Sequence, residues 1–272
     1  MEPKPIKVIA VTSGKGGVGK TTLSANLAAQ LALRDHQVML LDADLGLANI
    51  DVLLGLRPRY NLFHVLSGER TLDEVVIHGP GGLLIVPAAS GVQRMSDLSK
   101  AEHVGLIRAF STLTHPVDTL IIDTAAGISD SVMSFCNAAH EVIVVACEDP
   151  SSLADSYALI KVLNRDYGVR KFQVLANMVE TEQAGLAVYR RITDTTDRFL
   201  DVNVAFLGSV PQDEFIRRAN QQRKLLTQSY PHSRGARALE RIAARIEALA
   251  APEVPTGRLE FFFERLLAQE AV

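Results

Sequence analysis

The chain of 272 residues has no tryptophan, only two cysteines, and no apolar run approaching the ~18 residues that a membrane-spanning helix needs. Cys136 and Cys147 are too few for a disulfide framework and are not spaced as the C-x-x-C of a zinc or redox pair, which points to a reducing compartment, the cytoplasm. Residues 1–7 hold two prolines and no apolar segment of the kind an export signal carries, so the chain is expected to be neither exported nor inserted. Neither sign of charge dominates: 28 Lys and Arg face 31 Asp and Glu, for a net charge of −3. Global attraction to nucleic acid or anionic lipid is therefore excluded, and any such binding must come from a local patch. Internal repeats and low-complexity tracts are also missing.

What is there fits an ordinary globule. The apolar share is 47% and the charged share 22%. Short runs rich in Val, Ile and Leu fall at 6–12, 38–42, 83–87, 119–123, 141–146, 172–177 and 204–210, with helix-period stretches between most of them. These runs are nearly unbroken rather than alternating, as in strands covered on both faces. The expected fold is α/β, a doubly wound and mostly parallel sheet of about seven to eight strands. Two capping boxes, Thr71 with Glu74 and Ser99 with Glu102, mark helix starts. The expected organisation is one domain over 1–250, a proline-containing linker over 251–257 and an amphipathic helix over 258–272.

Directly after the first strand stands Gly14-Lys15-Gly16-Gly17-Val18-Gly19-Lys20-Thr21, a full G-x-x-x-x-G-K-[ST] match between a strand and a helix. Its glycines let the backbone curl until the amides converge on a phosphate, and the helix that begins near Lys20 points its positive end at the same anion. Lys20 neutralises the β and γ oxygens, the Thr21 hydroxyl is placed for a magnesium ion, and Thr22 completes the loop. Just past the second strand's end lie Asp42 and Asp44, where ligands bind in parallel sheets. Either could also be a turn former or helix cap.

The second loop lysine, Lys15, makes the run resemble the deviant Walker A phosphate loop of the MinD and ParA ATPases. In that class the extra lysine reaches the partner's phosphates across a nucleotide-sandwiched homodimer, so the resemblance implies that Lys15, Lys20 and Asp44 form the catalytic set. Asp44 would orient the attacking water, and Asp42 would support magnesium or Lys20. The run Leu120-Ile121-Ile122-Asp123 resembles the Walker B strand, with Asp123 as a third metal-site residue beside Thr21 and Asp42. Gly127, in the switch that follows, would offer its amide to the γ-phosphate. Asn177, Pro211, Gln212 and Asp213 correspond to the base and ribose pocket, which implies ATP with Mg2+; neither N-K-x-D nor T-K-x-D, the guanine signatures, occurs. The loop Glu148-Asp149-Pro150-Ser151 corresponds to a segment that meets the partner's nucleotide, and an ordinary turn would look the same.

Further blocks, DADLGLANIDVLLG at 42–55, IVPAASG at 85–91, DTAAGISDSV at 123–132, YALIKVLNRDYG at 157–168 and DRFLDV at 197–202, are similar to the FlhG/FleN family of flagellar-number-regulating MinD-type ATPases. That similarity implies a slow Mg-dependent ATPase switch whose dimer restrains a flagellar master transcriptional activator and works with an SRP-type flagellar-placing GTPase. It also implies a cytoplasmic protein that visits the inner face of the membrane at the cell pole. Some family members carry an N-terminal Gln-Ala and Leu-Arg pattern that stimulates the GTPase; residues 1–7 show none, so that stimulation is not expected. The alternatives are a MinD-like division-site-positioning ATPase and a non-catalytic anti-activator for which ATP is only an assembly ligand.

Leu259, Phe262, Phe263, Leu266 and Leu267 fall at i, i+3, i+4, i+7 and i+8, one apolar stripe, with Arg258, Glu260, Phe261, Glu264 and Arg265 on the remaining surface. By resemblance this is a membrane-targeting helix; permanent docking on the domain is the other reading. Between Asp213 and Glu247, Arg217, Arg218, Arg223, Lys224, Arg234, Arg237, Arg241 and Arg245 outnumber four acids. A solvated helix face accounts for this excess better than direct nucleic-acid binding does.

Overall fold

The computed structural model describes residues 6–89, 98–250 and 260–262. Eight strands form one sheet: β1 (Lys7–Ser13), β2 (Val38–Ala43), β3 (Ile77–His78), β4 (Leu84–Val86), β5 (Thr119–Ala126), β6 (Glu141–Ala146), β7 (Lys171–Val179) and β8 (Asn203–Pro211), ordered β3-β4-β2-β5-β1-β6-β7-β8. All pairings are parallel except β3 with β4. The apolar runs expected to be strands all are strands. The added β3 has two residues, too short to leave a period in the sequence.

The helices are α1 (Lys20–Ala32), α2 (Ile50–Leu54), α3 (Leu62–Leu66), α4 (Leu72–Val75), α5 (Lys100–Ala109), α6 (Asp130–Asn137), α7 (Pro150–Tyr167), α8 (Glu182–Phe199), α9 (Glu214–Gln221), α10 (Leu226–Ser229) and α11 (Arg234–Ala248). Both expected capping boxes form, at the starts of α4 and α5. Alternate residues of β1 enter opposite cores: Ile9 and Val11 pack with α1 and α11, whereas Val8 and Ala10 pack with the helices of the other face. That double burial is why the strands read as continuous apolar runs. Lys7 at the start of β1 donates to the carbonyls of Ile246 (2.9 Å), Glu247 (3.0 Å) and Leu249, satisfying orphan acceptors at the end of α11.

At residues 260–262 the chain departs from the sequence expectation. Glu260, Phe261 and Phe262 form a turn, with Phe262 in the left-handed region at φ 57°, so the residues described there are not a helix. Phe261, expected on the polar surface, is fully buried, as is Phe262, and Glu260 is buried too. Phe261 meets Phe110 edge-on at 5.0 Å between centroids and stacks near Phe135 at 6.3 Å, while Phe262 meets Phe110 at 5.8 Å. Heptad-like spacing could not show this, because packing of a turn follows the shape of the receiving core rather than a period. The expected linker 251–257 and the stripe residues Leu259, Phe263, Leu266 and Leu267 lie outside the described residues.

Truncation of Phe261 to Ala should therefore lower the unfolding free energy by about 3 kcal/mol or more in urea titrations. Phe199→Ala, at a side chain that is 62% exposed, should stay within about 0.5 kcal/mol of the parent.

Candidate functional site

The site is assembled where strand order reverses around β1, with β5 and β2 on one side and β6 on the other. Such a reversal opens a crevice at the carboxyl ends of the strands, and residues 14–19 lie there between β1 and α1. Gly17 and Gly19 sit at φ 77° and 90°, conformations that L side chains rarely adopt. A Cβ on Gly14 would fall 2.2 Å from the Asp155 backbone of α7, and one on Gly19 would fall 2.5 Å from Asn177 Nδ2, so both positions require glycine. At Gly16 and Gly17 a Cβ would meet nothing within 4 Å, which leaves the concave side of the loop open.

Lys20 is buried at the head of α1 and donates to Ser13 Oγ at 2.9 Å. Burial lowers its pKa, while Asp123 and Asp44 pull it back up. The β2–β5 register sets Asp42 directly beside Asp123, both buried in the carboxyl-terminal halves of their strands. Burial pushes Asp123 up to about 6, against hydrogen bonds from the Thr21 and Ser24 hydroxyls and the charge of Lys20; Ser24 Oγ lies 2.9 Å away. Burial, and then the neighbouring Asp123, push Asp42 up to about 8. Two adjacent buried carboxylates held above their ordinary range mark a place short of positive charge, which a cation would relieve. Among the described residues there is no cluster of three or more His, Cys, Asp or Glu that could cage a metal alone.

The expected residues divide by what the geometry lets them do. Thr21 and Asp123 come together. Both oxygens of Asp42 accept from backbone amides, Oδ1 from Asp44 (3.2 Å) and Oδ2 from Asn49 (3.0 Å) and Ile50 (3.1 Å), so this carboxylate gathers the turn that follows β2. Asp44 is half-buried, raised by burial, and accepts from the Leu47 amide at 3.2 Å. Gly127, at φ 93°, donates its amide to the Ser13 carbonyl at 2.9 Å, so contact with a γ-phosphate requires that bond to be released. Lys15 does not bend over its own loop; its ammonium pairs with Asp149, the N-cap of α7, and donates to Ser151 in that helix's first turn. That contact raises the Lys15 pKa and pushes Asp149 down to about 2.

Beside Gly19 opens a cavity of about 880 Å³ bounded by Thr22, Asn177, Met178, Pro211, Gln212 and Asn220. Asn177 donates to the Val18 carbonyl at 2.7 Å and so ties this cavity to the loop. Asp213 reaches the same cavity, but its oxygens accept from Phe215 (2.9 Å) and Gly235 (2.8 Å), which makes it a cap for α9 and a clamp on α11 rather than a free ribose acceptor. Sequence reasoning missed Ser13 and Ser24, the hydroxyls that hold Lys20 and Asp123. Only their spacing from the motif, one residue before it and three after it, could have signalled them.

A phosphate cradle, a buried ammonium, a hydroxyl–carboxylate pair and an adjoining cavity of nucleotide size define a P-loop nucleotide-binding protein. The family model ParA, described as NUBPL iron-transfer P-loop NTPase, matches residues 5–247. The antiactivator FleN of Pseudomonas aeruginosa is 51% identical over 267 residues, 98% of this chain and 95% of that protein. The flagellum site-determining protein YlxH of Helicobacter pylori is 34% identical, covering 96% and 90%. Among solved structures, the septum site-determining protein MinD complexed with Mg-ADP from Pyrococcus horikoshii superimposes with TM-score 0.75 and 26% identity, over 90% of this chain and 97% of that one. The chain belongs to the ParA family of P-loop NTPases, on the MinD-like fold.

Gly19→Ala should lower the unfolding free energy by about 1–2 kcal/mol, since it forces a side chain into the left-handed region and against Asn177. It should also weaken binding of adenine nucleotide at least about tenfold by calorimetry. A variant of parental stability and affinity would contradict the cradle geometry.

Proposed function

We propose that this chain is a slow Mg-dependent ATP hydrolase that switches between monomer and ATP-bound homodimer, and that the dimer restrains a flagellar master transcriptional activator. The observation that carries the reading is Lys15. It stands at the mouth of the cradle with a side chain 43% exposed, anchored outward on Asp149 and Ser151 rather than inward on its own phosphate site. A lysine so placed is free to exchange one anionic partner for another presented from outside. The name of the Pseudomonas relative, an antiactivator, supports the regulatory half, and the Mg-ADP held by the Pyrococcus MinD supports the nucleotide.

In this reading Lys20 and the loop amides hold the triphosphate, and the cavity by Asn177, Pro211 and Gln212 takes the adenosine. Thr21 and Asp123 would hold magnesium, which when bound neutralises charge on the phosphoryl group in transfer. Asp44, half-buried and within electrostatic reach of Lys20, positions the attacking water. The state of the nucleotide is reported by two segments: residues 44–50, which hang on Asp42, and Gly127, which lets go of Ser13. A role for the SRP-type placing GTPase, and contact of the C-terminal segment with the inner face of the membrane at the pole, belong to the same proposal. Among the described residues no helix is long and apolar enough to cross a membrane. Division-site positioning draws less support, because the flagellar relative is 51% identical and the MinD structure 26%.

Light-scattering masses with Mg-ATP and Mg-ADP, paired with phosphate release, test the switch. The parent should double its mass with ATP alone, and Lys15→Ala should remain a monomer. Asp44→Ala should still dimerise while its phosphate release falls at least about tenfold. Unchanged assembly in Lys15→Ala, or unchanged hydrolysis in Asp44→Ala, would overturn the respective roles.

A further inference from the structure

Helix α11 sorts its charges in a way that its own stability does not call for. Its buried face is Gly235, Ala236, Ala238, Leu239, Ile242, Ala243 and Ile246. On one flank Glu247 pairs with Arg34 and His36. Along the other flank Arg234, Arg237, Arg241 and Arg245 are all exposed and follow one another at three- and four-residue steps. Neighbouring like charges at those steps repel, and Arg234 and Arg237 stand in the first turn, where the helix dipole disfavours cations. Alternating acids along the same flank would have stabilised the helix; Glu240, three residues after Arg237, is the one acid at such a step, and it forms no ion pair with Arg237.

These four arginines line a cavity of about 290 Å³ at the carboxyl ends of β7 and the edge strand β8, whose lining also includes Glu180 and Glu182. Two of the arginines are anchored: Arg245 donates to the Leu207 carbonyl at 2.8 Å and Arg234 to the Glu180 carbonyl at 3.5 Å. The guanidinium groups of Arg237 and Arg241, between them, have neither a hydrogen bond nor an ion pair among the described residues. The floor is Gly208 with Ser209, and Gly208 at φ 152° has an Ile242 side-chain carbon 2.9 Å from where a Cβ would be, so the strand is kept low beneath the guanidinium row. None of this lies in the nucleotide cavity, which opens on the other side of Pro211 by Asn177 and Gln212.

We propose that this groove is the docking site for an acidic segment of a partner protein, bound in extended conformation with its carboxylates on Arg237 and Arg241. The spacing fits: four residues of helix rise about 6 Å, and same-face carboxylates two residues apart on an extended chain repeat every ~6.7 Å. Planar guanidinium forks match carboxylates two-on-two. A membrane surface or a nucleic-acid backbone carries continuous negative charge and would also meet Glu180 and Glu182, which line the same cavity, on a chain whose net charge is −3. A peptide strand can seat its acids on one wall only. The site goes beyond the ATP switch and does not depend on it.

The probe is a fluorescein-labelled octapeptide of alternating glutamate and valine, titrated by anisotropy against the full-length, nucleotide-free protein, with a glutamine-for-glutamate peptide as control. The parent should bind the acidic peptide, more weakly as salt rises, and ignore the control. Arg237→Gln/Arg241→Gln should bind at least about tenfold more weakly, and Arg237→Lys/Arg241→Lys should fall between, while both keep the parental affinity for Mg-ATP, which reports an intact fold. No binding by the parent, or equal binding by the glutamine variant, would overturn the proposal. So would tighter, arginine-dependent binding of a short single-stranded oligodeoxynucleotide or of phosphatidylglycerol vesicles.

Discussion

Everything at the carboxyl edge of this sheet follows from one electrostatic constraint: two carboxylates, Asp42 and Asp123, are buried side by side by the register of β2 and β5, with Lys20 as the buried ammonium beside them. Neither charge can be moved without shifting the strands, and their burial holds both acids above their ordinary pKa range. Converging loop amides and Lys20 supply the positive potential for a phosphate, and the carboxylates supply the demand for a cation. A metal–phosphate ligand answers both at once. Two neighbouring segments are tied to these same groups: 44–50 by three amides on Asp42, and Gly127 by its place directly after β5, the strand that carries Asp123.

Much of this was legible in the sequence, for physical reasons. The phosphate loop shows because only glycine tolerates the φ values at 17 and 19 and the close approach at Gly14. Strands show because burial on both faces leaves unbroken apolar runs, and helix starts show because capping needs particular side chains. The amides that gather on Asp42 were not legible: a carboxylate near a strand's end looks the same whether or not the residues that follow, 44–50, fold back onto it. Ser13 and Ser24 were missed because a hydroxyl beside a motif is common and its partner is distant in sequence. Phe261 was missed because an amphipathic period assumes a helix, and the chain there turns.

The two lysines of the loop illustrate how burial divides labour between identical side chains. Lys20 is enclosed, depressed in pKa, and committed to the site. Lys15 is exposed, raised by Asp149, and held by contacts that solvent can replace. One is part of the cradle and the other is a hand extended from it. The same contrast appears on α11, where the flank with acids is closed by Arg34 and His36 and the arginine flank is left open.

The central claim is that the cradle binds a magnesium triphosphate through Lys20. Calorimetric titration of the parent with Mg-ATP tests it most directly. One site per chain should appear, with the heat abolished in Lys20→Ala. A parent that gives no heat, or a Lys20→Ala protein that binds as the parent does, would contradict it.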